Sequence, residues 1–220
     1  MMATPLGLRE RKKQRTRQLL SETARRLFSE RGFERVSVAE IAREADVSEM
    51  TVFNYFPSKE DLVYSGLETF EDQLLTAIRD RPPGQTVIAA FGEFILEPRG
   101  LLTTNDDAAA RELIAVTRMI AASPALLARE QQIFARYTDT LAQLIATETG
   151  ARAGDPRPYV VANALIGIHR DLISYVRGRL DAGASDRRRL ARQARSRGEK
   201  ALALLSDGLG DYAPKRKKDD

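Results

Sequence analysis

The stretch from Ser37 to Leu62, SVAEIAREADVSEMTVFNYFPSKEDL, constrains the fold more than any other part of the chain. Ser37 with Glu40 three residues later is a capping box: the hydroxyl accepts from the amide of Glu40, and the carboxylate returns to the amide of Ser37. A helix therefore starts at Val38. Val38, Ile41, Ala42 and Ala45 recur at helical spacing and form its inward side, with Ala42 small enough to let another helix cross closely. Ser48 caps a second helix, whose expected buried side is Val52, Phe53 and Phe56. Only Ala45-Asp46-Val47 separates the two helices. Two short helices around so tight a turn make a helix-turn-helix, a unit whose second helix enters the DNA major groove. Glu49, Met50, Thr51, Asn54 and Tyr55 are then its outward side chains. From spacing alone, a plain helical hairpin within an all-α domain fits equally.

The next residues separate the two readings. Phe53-Asn54-Tyr55-Phe56-Pro57-Ser58-Lys59-Glu60-Asp61-Leu62 resembles the signature that closes the DNA-binding domain of the tetracycline-repressor (TetR) family of bacterial transcription regulators. Ile41-Ala42, Ala45, Val47-Ser48 and Thr51 carry the match back through the motif. One position departs from the pattern: the family usually has Gly in the turn where this chain has Asp46, and Asp tolerates a left-handed backbone better than most residues. The resemblance implies that Ser37, Ser48, Tyr55 and Lys59 touch phosphates. Base reading falls to Glu49, Met50, Thr51 and Asn54: an amide pairs with adenine, a carboxylate accepts from cytosine N4, and Thr or Met meets a thymine methyl.

Composition narrows the classes of function. There is no Cys, which excludes disulfides, thiolate metal sites and cysteine nucleophiles. With a single His, His169, a histidine-rich metal site is excluded and a serine triad would depend on that one residue. No Gly-x-Ser-x-Gly elbow or phosphate-cradling Gly loop accompanies it, so the expectation is a protein that is not an enzyme and has no cofactor. No apolar run approaches the roughly 18 residues of a membrane span, and no signal-peptide core opens the chain. A soluble, cytoplasmic protein is expected. The net charge is +4, but its placement matters more: before residue 18, Arg9, Arg11, Lys12, Lys13, Arg15 and Arg17 face the single acid Glu10. Adjoining a reading head, this run, Arg15 in particular, is expected along DNA phosphates or in the minor groove.

The run leads into a helix with the apolar stripe Leu19, Leu20, Ala24, Leu27 and Phe28, stopped by Gly32. Ser58 and Asp61 form a second capping box after Pro57 and start a helix expected to run from Lys59 to about Arg81, where Pro82-Pro83-Gly84 ends it. Further helices are expected over Gln85 to Leu96, Asp107 to Ala122, Pro124 to Thr149, Pro156 to Ala182 and Arg187 to Leu209. Ser123-Pro124 and Asp155-Pro156 each place a cap residue before a proline. No alternating strand pattern occurs. The fold is therefore all-α with about nine helices, three of them in the N-terminal head, which agrees with the resembled family. Residues 1–58 form the DNA-binding domain with its basic arm, 59–210 a helical regulatory and dimerisation domain, and 211–220 a charged tail.

By the same resemblance the last two long helices form a homodimer's four-helix bundle, the partner is double-stranded operator DNA, and a small-molecule effector controls binding. The Arg-rich face at Arg187 to Arg197 is expected to be solvated or paired with carboxylates rather than a second nucleic-acid site. Inward apolar surface exceeds what a spacer requires: Phe91, Phe94, Phe134, Tyr137 and Ile166 can enclose an apolar pocket. Asn163, His169 and Arg170, with Thr117 and Arg118, are its polar candidates, although His169 also suits a simple core position. The alternative function is a helical ligand-binding or interaction protein that has lost DNA binding.

Overall fold

The computed structural model describes residues 7–104 and 106–209, so residues 1–6 and the tail expected at 211–220 lie outside the described residues. The described residues are all-α. The helices are α1 (Leu8–Arg31), α2 (Val38–Glu44), α3 (Glu49–Tyr55), α4 (Lys59–Val63), α5 (Leu67–Arg79), α6 (Val87–Leu96), α7 (Asp107–Ala122), α8 (Pro124–Thr149), α9 (Arg157–Asp181) and α10 (Arg187–Leu209). A short 3-10 turn, Gly100–Leu102, follows α6.

The chain divides into two compact units. One comprises the chain up to Leu67 together with Ala115–Arg129, and the other comprises Glu68–Ile114 and the chain from Glu130 onward. The first unit is built on α1, which packs against α2 and α4, while α2 packs against α3. Leu20, Ala24, Leu27 and Phe28 of α1 are buried in its core, as are Phe33, Val36, Ile41, Val52, Phe56 and Leu62. Phe28 and Phe33 pack at 5.2 Å between ring centroids, within the range where tilted aromatic pairs attract.

The expected single helix from Lys59 to Arg81 is two helices. α4 ends at Tyr64, whose amide bonds back to the Glu60 carbonyl and whose own carbonyl accepts from Leu67. Tyr64 is 7% exposed, and its hydroxyl donates to the Leu126 carbonyl at 2.9 Å. The corner of α7 and α8 is held to the same unit by two further contacts: Ser123 Oγ donates to Glu34 at 2.8 Å, and Arg129 Nη2 lies 2.7 Å from Asp61 Oδ1. Apolar periodicity ran through this break, so tertiary bonds to Tyr64 rather than local propensity decide it.

In the second unit α10 packs against α6 and α9. The approach is close where α10 carries Gly198: an added Cβ would collide with Leu96 and come within 3.3 Å of Leu172. Phe91, Ile145, Leu141, Leu165, Ile166 and Val161 are buried here. Arg81, only 3% exposed, closes α5 by donating to the Ile78 carbonyl at 2.7 Å, and ion-pairs with Glu148 at 2.7 Å. α9 starts one residue later than expected, with Pro156 as its cap, while Asp155 Oδ1 accepts from the amide of Arg157 at 3.0 Å.

Candidate nucleic-acid interface

Both capping boxes of the head form as the residue spacing requires. Ser37 Oγ accepts from the Glu40 amide at 3.2 Å, and Glu40 Oε2 accepts from the Ser37 amide at 2.8 Å. That amide, followed by the Ser37 hydroxyl, holds the Glu40 carboxyl below its ordinary pKa. Ser58 and Asp61 repeat the arrangement at the start of α4. Ser48 Oγ accepts from the Thr51 amide at 3.1 Å and sits 2.9 Å from the Thr51 hydroxyl, which fixes the first turn of α3.

Between α2 and α3, Asp46 adopts φ 54°, the one positive-φ residue other than glycine among the described residues. The amide of Val47 bonds to the Ala42 carbonyl at 2.9 Å and completes the turn. The chain thus takes the left-handed conformation where the resembled pattern has Gly, with Asp as a tolerated substitute.

The helix α3 buries Val52, and the residue after it, Phe56, is 1% exposed. Ser48, Glu49 and Asn54 are exposed, Met50 is 69% exposed, and Thr51 and Tyr55 are half-buried. Phe53 departs from the expected inward side, being 45% exposed. Val52 and Phe56, four apart, share the inward stripe, and Phe53 points about 100° away round the helix from Val52. Arg17 was expected only as one cation of the basic run along phosphates. Its Nη1 donates to the Tyr55 carbonyl at 2.9 Å, and its guanidinium lies 4.4 Å from the Phe56 ring centroid, so it ties the end of α3 to α1.

The basic run Arg9 to Arg17 is itself the first half of α1, and Arg15 is exposed on it. Lys59 is half-buried, with Nζ 4.1 Å from the Phe33 ring centroid. The face that α3 presents is therefore a short, rigidly capped helix with a carboxylate, an amide, a hydroxyl and a thioether available, next to a helix of strong positive charge. Such a face can read base edges while neighbouring cations neutralise phosphates.

The residues expected around a pocket are distributed unevenly. Phe94, Phe134, Tyr137 and His169 come together in the second unit, joined by Phe70 of α5, which was not among the residues expected at a pocket. Phe91 and Ile166 are buried in the same unit, whereas Asn163 is exposed on α9. Arg170 is also exposed, its guanidinium 5.8 Å from the Phe134 ring centroid. Thr117 and Arg118 fall in the first unit. On α10, Arg187 pairs with Asp107 at 2.9 Å, Arg195 with Glu199 at 2.9 Å and Arg197 with Asp171 at 2.5 Å.

A capped helix-turn-helix with an exposed polar second helix defines a DNA-binding protein of the transcription-regulator class. Residues 20–64 match the family described as bacterial regulatory proteins, tetR family, and residues 86–195 match the MftR C-terminal domain. The chain belongs to the TetR family of transcriptional regulators and carries an MftR-like C-terminal domain. That family consists of DNA-binding regulators rather than enzymes. The chain is 30% identical over 162 residues to the HTH-type transcriptional regulator TcmR of Streptomyces glaucescens, covering 71% of each chain. It is 26% identical over 165 residues to the putative mycofactocin biosynthesis transcriptional regulator MftR of Mycobacterium tuberculosis, covering 72% of this chain and 78% of that one. Among solved structures, the SmeT–triclosan complex shares the fold, with a TM-score of 0.53, 16% identity, and coverage of 93% of this chain and 99% of that one. No helix of the described residues is long and apolar enough to cross a membrane.

Proposed function

We propose that this regulator is a homodimeric repressor that binds a palindromic operator and is released from it by a small, largely apolar ligand. The observation that carries DNA reading is the division of α3: Val52 is buried, while Glu49, Met50 and Asn54 are exposed. Residues 1–58 act as the reading head and 59–210 as the regulatory and dimerisation part. Thr51 joins the base-reading set, and Arg15, Ser37, Ser48, Tyr55 and Lys59 position the head on phosphates. One short helix reads only a few base pairs, so specificity requires two heads, and a two-fold dimer requires a palindromic site. The last two long helices supply the dimer surface, where Leu204 of α10 is 76% exposed. The aromatic residues gathered around His169 support an apolar effector site in the regulatory part.

Selection of bound sequences from a random DNA pool tests the reading. A palindromic motif is expected, with Asn54→Ala relaxing preference at particular positions by about 1–3 kcal/mol. Lys59→Ala is expected to weaken all sequences alike and to flatten the salt slope by about one. A wild-type protein that enriches no motif would instead support the fold without the reading function.

A further inference from the structure

A purely structural account leaves His169 unexplained. Its side chain is 8% exposed, and its Nδ1 is buried with no hydrogen-bond partner among the described residues. Native interiors pair nearly all such atoms, so an unpaired one calls for a partner.

Three helices bring rings to this one imidazole or its neighbour. Phe70 of α5 stacks on His169 with centroids 4.9 Å apart and planes at 29°. Phe134 of α8 meets the imidazole edge-on at 5.6 Å and 83°. Phe94 of α6 packs on Phe70 at 5.4 Å, and the Arg99 guanidinium lies 4.1 Å from the Phe94 centroid. Burial first, then the positive charge of Arg99, lower the His169 pKa from 6.5 to about 4, so the ring is neutral at pH 7. Orphaned buried donors are rarer than under-satisfied acceptors, which puts the proton of the neutral imidazole on Nε2 and leaves Nδ1 as an acceptor. The complementary ligand group is an O–H donor.

The rings differ in how firmly they are held. Phe134 is 4% exposed and buried, whereas Phe70 is only half-buried. Phe70 also lies three residues past Leu67, where the chain passes from the first compact unit to the second. Replacing its ring with another flat ring exchanges one stacking contact for a similar one, and pairing Nδ1 is then a net gain.

We propose that the effector is a hydroxylated aromatic molecule that takes the place of the Phe70 ring, stacks on His169 and donates its O–H to Nδ1. The proposal rests on the effector reading above and assigns that effector a chemical class. Displacing Phe70 shifts the first turn of α5, which gives the ligand a differential grip on two positions of that helix. An analogue lacking the hydroxyl leaves Nδ1 unpaired in an apolar site and is rejected for that reason.

This chain has one histidine, so the 220-residue protein labelled with nitrogen-15 at histidine reports this imidazole alone. The probes are 2-naphthol and 2-methoxynaphthalene, which share a ring system but differ in the O–H. The naphthol is expected to move the Nδ1 resonance and to bind at least about tenfold more tightly than the ether. Phe70→Ala is expected to tighten naphthol binding, and His169→Phe, which keeps the stack, to abolish the preference. Equal binding of the two probes, naphthol binding with the Nδ1 signal unmoved, or no naphthol binding overturns the proposal. Should His169→Phe fail to fold, the wild-type resonance still decides. An Nδ1 response without release of selected operator DNA leaves the site standing and removes the effector role; release by other compounds with Nδ1 silent does the reverse.

Discussion

Arg17 of α1 holds the last carbonyl of the recognition helix, that of Tyr55, at 2.9 Å, and covers the ring of Phe56 at 4.4 Å. The contact turns a residue of a basic run into a positioning residue. A charge sitting over a buried ring and bonded to a helix carbonyl holds the C-terminal end of α3 to α1.

Arg17→Ala is therefore expected to destabilise the head by about 1–3 kcal/mol, the range of a charge-assisted hydrogen bond plus a ring contact. Chemical denaturation measures it. Operator affinity should fall with the salt slope nearly unchanged, because the lost group ordered the protein rather than neutralised a phosphate. A slope reduced by a full unit would place Arg17 on the DNA backbone instead.

Asp46 supplies a second test, since its φ of 54° costs any residue with a Cβ some strain. Asp46→Gly removes that strain but loosens the unfolded chain, and the two effects offset to within about 1 kcal/mol. Asp46→Val, β-branched in the left-handed region, is expected to cost about 1–3 kcal/mol. Equal stability of the Gly and Val variants would show that the turn relaxes to another conformation.

The local chemistry of the head was legible in the sequence because it is local. The capping boxes Ser37/Glu40 and Ser58/Asp61 require only residues three apart, and the turn at Asp46 follows from the spacing of two apolar stripes. Features set by distant partners were not. The break at Tyr64 depends on the Leu126 carbonyl 62 residues away, and nothing in the periodicity of Leu62, Leu67 and Phe70 signals it. Arg17 looked like one cation among six until the fold placed Tyr55 beside it. His169 fitted both core and pocket, and only the rings arriving from α5 and α8 show what surrounds it.

The proposed dimer surface is testable at Leu204, which stands 76% exposed on α10 beside the half-buried Leu205. An apolar residue so exposed in one chain is readily covered in an isologous bundle. Leu204→Glu is expected to leave the monomer fold intact, because the site is already solvated there. It should convert the dimer to monomer in analytical ultracentrifugation and sharply reduce operator affinity. A dimeric Leu204→Glu would move the interface to another face.

His169 makes stability depend on pH, and the sign follows from which state binds the proton. Its pKa is about 4 in the folded protein, against the ordinary 6.5, because burial and then the charge of Arg99 disfavour the imidazolium. Between those values the unfolded chain is protonated and the folded one is not, so stability rises with pH across that window. The contribution is whole above the unfolded value and is lost as pH falls from about 6.5 toward 4. From pH 7 to pH 5 the linkage amounts to roughly 2 kcal/mol. Urea denaturation of wild type and His169→Phe at equal protein concentration isolates it, since the phenyl ring carries no proton and the other titrating groups are common to both. The wild type should lose that much more than the variant over the interval. A parallel pH dependence of the two proteins would mean that His169 takes up its proton without leaving the fold, and hence that water reaches Nδ1 past the ring of Phe70.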